Sequence, residues 1–237
     1  MNASIETMEM DKASGQVEQI TEDESCNHEK SEEQFMNQKR ALQTFQQTRL
    51  SSTYPDMRNN PEYEKIGIFF FDKLYAPEDF SFRDASIKKL NRILNGAVYK
   101  GMVSAVTMVI ELHELSDELD DKMVVKMIEA GIDENFDMNA YQDIYRGLDN
   151  YDERIYQIRL VGRVNRAFHR LSKMWIVGLS LKTVRTAAHL LGMGKIMDFV
   201  YEGYVGFRSI DNLDYFIETI EERELAWHEE IWQGGKK

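Results

Sequence analysis

Apolar residues recur along this chain at intervals of three and four, the period of helices that bury one face. Phe35, Leu42 and Phe45 share such a face and predict a first helix that ends before Tyr54-Pro55. Ile66, Phe69, Phe70 and Leu74 predict a second over residues 62–74, broken by Pro77. Ser81-Phe82-Arg83-Asp84 has the outline of a capping box and opens a helix through Ile87, Leu90 and Leu94 to Gly96. Residues 97–115 are the most apolar stretch: Val103, Val106, Met108, Val109, Ile110 and Leu112 spread around much of the circumference. A helix apolar on several sides belongs in the centre of a fold. The polar run from Ser116 to Asp121 then predicts a break, before a helix over 122–130 that stops at Gly131.

Further on, the pattern predicts a short helix over 137–146, ending at Gly147. Asn150 to Glu153 repeats the capping-box spacing and opens a helix to about Ser172. Helices over 180–191, 195–208 and 211–232 follow, with Gly192 and Gly194 separating the first two. Only Ile66 to Phe71 could alternate as a strand, and no internal repeat is visible. The expectation is an all-α protein: one multi-helix domain of about eight to ten helices over residues 34–237, behind a disordered tail over 1–33.

Composition strengthens the helical reading. The three prolines are Pro55, Pro61 and Pro77, so no helix after Pro77 meets a residue that removes a backbone donor and clashes with the preceding turn. Cys26 is the single cysteine, so no intramolecular disulfide can form. No apolar run approaches the roughly 18–20 residues needed to cross a bilayer. The N-terminal residues lack the basic start and apolar core of a secretory signal, so a cytoplasmic location is expected.

Charge is distributed unevenly. Residues 1–33 hold ten acids against Lys12 and Lys30, −8 of the formal net −12, and few large apolar groups to offset chain entropy. Such a tail serves either as a solubilising extension or as an acidic interaction arm. From Ile155 to Met197, by contrast, there is no Asp or Glu, while Arg159, Arg163, Arg166, Arg170, Lys173, Lys182, Arg185 and Lys195 all occur. At about 100° per residue, Arg159, Arg163, Arg166 and Arg170 fall within roughly 60° of one another, a ridge on one helix. Val161, Val164, Phe168 and Leu171 fall opposite. The planar guanidinium suits carboxylate and phosphate oxygens. The ridge is either paired with the chain's own acids, in the tail or in the last helix, or it is a surface for an acidic protein or a phosphate-bearing ligand. Sequence-specific nucleic-acid binding is disfavoured by the net charge and by the absence of a zinc-finger or RNA-recognition signature.

A second block is aromatic. Six aromatic residues lie between Phe69 and Phe82, around Pro77. The block reads as a buried helix–turn–helix corner, or as a wall of a ligand pocket with Tyr75, Asp79 and Arg83 as its polar groups and His189 as a further candidate. The run Phe70-Phe71-Asp72-Lys73-Leu74-Tyr75-Ala76-Pro77-Glu78-Asp79-Phe80 with Arg83-Asp84, together with Leu115 to Asp120 and Arg223-Glu224, resembles the motif of an uncharacterised all-helical family of bacterial proteins. The resemblance spans the chain from about residue 35 onward. It implies a helical body and brings no activity, cofactor or catalytic residue.

Known catalytic and metal patterns do not fit. The Glu-x-x-His pairs of di-iron bundles are absent; Glu224 and His228 share a helix face, but a site there needs partners from elsewhere in the fold. His189, within Ala187-Ala188-His189-Leu190-Leu191, is the histidine expected in the core. Gly192-Met193-Gly194-Lys195 lacks the spacing of a phosphate loop. No nucleophile elbow occurs, and no cofactor or metal is called for. Two functions stay open: a binding or regulatory protein that engages an anionic partner through the arginine ridge, and an enzyme or carrier that holds a small phosphate- or carboxylate-bearing ligand in an aromatic-lined space between helices.

Overall fold

The computed structural model describes residues 30–70, 100–190 and 194–234. Among these residues there are nine helices and no strand. Helix α1 covers residues 30–53. Two single turns follow, α2 (Pro55–Arg58) and α3 (Glu64–Gly67), the latter running into a π turn over 68–70. Then come α4 (Lys100–Glu129), α5 (Met138–Gly147), α6 (Tyr151–Ser172), α7 (Trp175–Leu190), α8 (Gly194–Ser209) and α9 (Asp214–Gly234).

Helix α9 is the spine of two adjoining cores. Its first half sends Phe216, Ile217 and Ile220 into a cluster with Tyr54, Met57, Tyr63 and Ile66 from α2, α3 and their flanks, and with Phe207 of α8. Its second half sends Ile231 into a cluster with Leu42 of α1, Met123, Val124 and Met127 of α4, and Tyr141, Ile144 and Tyr145 of α5. Helix α6 lies alongside, packed on α4, α8 and α9. Where α3 meets α8, a side chain is missing by necessity: a Cβ on Gly203 would stand 2.8 Å from the Phe69 ring. Phe69 and Phe70, the described start of the aromatic block, are buried in the first core.

The largest departure from the sequence pattern is α4, a single helix of 30 residues where a break at Ser116 to Asp121 was expected. Leu119 and Asp120 are buried in mid-helix. Asp117 and Asp121 both reach Lys39 of α1 at 2.6 Å, and Glu118 reaches Lys122 one turn on at 2.9 Å. The polar run is a face that binds another helix, not a loop. Within α4, Ala105 is buried, residues 108–113 are half-buried, and Leu119, Met123, Val124 and Met127 form the buried end.

The other boundaries move by a few residues. Helix α1 includes residues 30–33, assigned above to the tail. Helix α7 begins at Trp175, five residues before position 180. Asp137 caps α5, accepting from the Ala140 amide at 2.9 Å. Gly131, at φ 68°, closes α4, and the Ile132 amide donates a hydrogen bond back to the Met127 carbonyl. Asn150 does not cap α6 with its side chain, and Glu153 of the expected capping box pairs instead with Lys122 at 3.2 Å. The tail over 1–29 and the capping box at Ser81 lie outside the described residues. No helix among the described residues is long and apolar enough to cross a membrane.

Candidate anion-binding surface

The four ridge arginines do lie on one helix, α6, but they do not share one environment. Arg166 turns toward α9 and lies 3.7 Å from Glu221. The helices approach closely there because residue 162 is glycine: a Cβ would sit 2.9 Å from Glu221 Oε2 and 3.3 Å from Ile217 Cγ2. The space left between α6 and α9, beside Gly162, Asn165 and Phe216, is about 10 Å³, room for one water and no ligand. Arg163 is exposed, its guanidinium 5.0 Å from the ring centroid of Tyr156, whose hydroxyl donates to Glu111. Arg159 and Arg170 are exposed, and no described residue forms an ion pair with either.

The last helix was an expected internal counter-charge for the ridge. It supplies one carboxylate, and its other well-placed acids have different partners. Glu224 accepts two bonds from Arg49, at 3.0 and 2.6 Å, and one from the Tyr54 hydroxyl at 2.7 Å. The Arg49 guanidinium also lies 4.0 Å from the Trp227 ring. Burial opposes the charge on Arg49, yet Glu224 beside it holds the guanidinium protonated above its ordinary range. Burial, followed by the Glu224 carboxylate, pushes the Tyr54 phenol far up, so it stays a donor. Glu229 accepts from Tyr151 at 2.7 Å.

His189 is not the core histidine expected from its Ala-Ala and Leu-Leu neighbours. It stands exposed on the last turn of α7, where Gly194, lacking a side chain, leaves space for the ring. Its Nε2 is 3.0 Å from Asp198 Oδ1, which also accepts from Arg185 Nε at 2.7 Å. His189 and then Arg185 hold the Asp198 carboxyl below its ordinary range. Lys182, Arg185, Thr186, His189, Leu190 and Tyr201 line an open cleft of about 500 Å³ between α7 and α8. Arg185 lies over the Tyr201 ring at 4.6 Å. Tyr75, Asp79 and Arg83, the other expected pocket residues, lie outside the described residues.

Among the described residues the buried histidine is His228 on α9, whose Nδ1 is 2.9 Å from the Tyr145 hydroxyl. Glu224 and His228, one turn apart, therefore serve different partners. Burial and then the nearby Arg154 push the His228 pKa down. Arg154 is a fifth arginine of α6 that the sequence reading passed over. Its place on the face of Val161, Val164 and Phe168 was the available signal. It is 4 % exposed, lies 4.7 Å from the Tyr145 ring centroid, and bonds Leu119 O and Gln157 Oε1 at 3.4 Å each.

Fold and site together describe an all-helical protein with a basic outer surface on α6 and α7 and a buried polar centre under α9. The chain belongs to the family described as Domain of unknown function (DUF8198), which it matches over residues 25–237. That agrees with the resemblance to an uncharacterised helical family drawn from the aromatic motif. No curated protein and no solved structure matches it.

Proposed function

We propose that this is a helical binding protein that engages an anionic partner, an acidic protein segment or a phosphate-bearing ligand, through the outer face of α6. The observation that carries the reading is the exposure of Arg159, Arg163 and Arg170 without a carboxylate among the described residues, while the nearby acids of α9 are taken up by Arg49, Tyr54, Tyr151 and Arg166. Exposed arginines one and two helical turns apart offer several two-oxygen forks along one line. In a protein of net charge −12, they also steer anions to one side.

The test is retention on immobilised polyglutamate and polyphosphate. Arg159→Glu with Arg163→Glu is expected to weaken retention about tenfold or more at low salt, with the helical circular dichroism unchanged. Arg166 is spared because of its pair with Glu221. Equal retention of variant and parent overturns the reading.

The cleft of Lys182, Arg185, His189 and Tyr201 supports a second reading, a carrier or enzyme for a small phosphate- or carboxylate-bearing ligand. Native mass spectrometry of the purified protein separates the two: a persistent added mass lost on Arg185→Ala supports the carrier, and a clean apo mass counts against it.

A further inference from the structure

Helix α7 lies inside the acid-free stretch and contains no Asp or Glu. Its outward side is not the polar face of an ordinary surface helix. Trp175 is 71 % exposed, Leu179 55 % and Leu190 85 %. On a period of about 100° per residue these three fall within roughly 60° of one another. Next to that strip, on one side only, fall Lys182, Arg185 and His189. The side opposite the strip is fixed to the fold by buried Val177, and Gly178, which falls between Arg185 and His189 around the helix, sets that flank against the Tyr204 hydroxyl of α8. The helix thus shows the apolar strip to the outside with exposed Lys182 beside it, and Arg185 and His189 on the rim of the cleft toward α8. Among the described residues, Asp198 is the carboxylate bound to that cationic edge, and it is shared between Arg185 and His189. Arg170, on the last turn of α6 just before α7 begins, continues the cations toward the ridge.

This arrangement fits the surface of an anionic bilayer. An indole sits favourably at headgroup level, leucines reach the acyl boundary, and long cationic side chains meet lipid phosphates while their stems cover apolar surface. The strip is convex, three large side chains on a helix, and a bilayer accepts such a shape without a complementary groove. A second copy of this chain is a poor occupant, because an antiparallel two-fold pairing of α7 would set two cationic edges beside each other. Charge complementarity selects an anionic partner, and the bulk of the apolar strip selects lipid over a purely polar one. We infer that α7 docks the protein on an anionic lipid surface, lying in the headgroup layer with the α6 arginines as adjoining contacts. The inference rests on the anionic-partner reading above and names lipid phosphate as the anion.

The experiment is flotation of the full chain with phosphatidylcholine vesicles, with and without phosphatidylserine. Binding is expected only with phosphatidylserine, weakened by salt and accompanied by a blue shift of tryptophan emission that Trp175→Ala removes. Trp175→Ala with Leu179→Ala should lower the vesicle partition about tenfold or more, and Lys182→Ala about fivefold, with circular dichroism unchanged. Absence of phosphatidylserine-dependent binding overturns the inference, as does equal binding by the apolar double variant. A dimer that the same variant dissociates, with no vesicle binding, assigns the face to a second copy and also overturns it. If the parent ignores vesicles but is held by polyglutamate through Arg159 and Arg163, the lipid inference falls and the ridge reading stands; if it binds neither, both fall.

Discussion

His228 shows how one residue couples the packing of this protein to its chemistry. Its ring is almost wholly enclosed, with Tyr145 on one nitrogen and the Tyr151 ring 4.6 Å away. Burial and the Arg154 charge hold it neutral, with a pKa below the ordinary 6.5, while Glu229 pulls weakly the other way. In the window just below pH 6.5 the unfolded chain binds a proton that the folded chain refuses. The contribution of His228 to stability is therefore complete above that window and is lost as pH falls through it. Asp120, buried and with its carboxyl pushed up by desolvation, works in the opposite sense above the ordinary carboxyl range. A variant comparison isolates the histidine. The unfolding free energy from urea titrations should fall in the parent from pH 7.5 to pH 5 with a slope of up to about 1.4 kcal/mol per pH unit from this group, and less steeply in His228→Gln. Identical slopes would contradict the account. His189 teaches the complementary point: alanine and leucine neighbours do not bury a histidine when it falls on the last turn of an outer helix.

At the scale of elements, α1 is tied to the spine helix α9 by one buried charge pair. Arg49 and Glu224 have side chains only 11 % and 13 % exposed, with Tyr54 and Trp227 completing the enclosure. Such a pair adds little beyond what well-packed apolar residues would give, but breaking it leaves a buried charge uncompensated. Glu224→Gln is expected to cost about 3–5 kcal/mol in equilibrium denaturation, and Arg49→Met with Glu224→Leu distinctly less. A near-neutral Glu224→Gln would show that water reaches Arg49. Element types were legible from periodicity because each buried face repeats at helical spacing, as Met123 and Met127 or Phe216 and Ile220 do. The false break in α4 arose because Asp117, Glu118, Asp120 and Asp121 read locally as a solvated turn. The partners of the three aspartates, Lys39, Gln43 and Gln46, are more than 70 positions away in the chain.

At the scale of the molecule, charge is sorted as the sequence suggested, with the cations between Ile155 and Met197 gathered on α6, the turn after it, α7 and the start of α8. The arginine ridge was legible because four spacings on one helix fix a common face. Its division was not. Gly162 lets α9 approach and hands Arg166 to Glu221, while Arg159, Arg163 and Arg170 stay outside. The apolar outer strip of α7 was hidden for the same reason. Trp175 and Leu179 have the composition of a core helix, and only the position of α7 at the edge of the fold exposes them.

By itself, then, the sequence determined that this protein is helical, where most helices run, and which face of α6 carries the arginines. Those properties depend on period, propensity and charge within a few turns of chain. The tertiary structure alone decided which of His189 and His228 is buried, which acids neutralise which arginines, and which apolar side chains are left outside. Those depend on the side chains that distant helices bring within a few ångströms, and no local spacing encodes that neighbour.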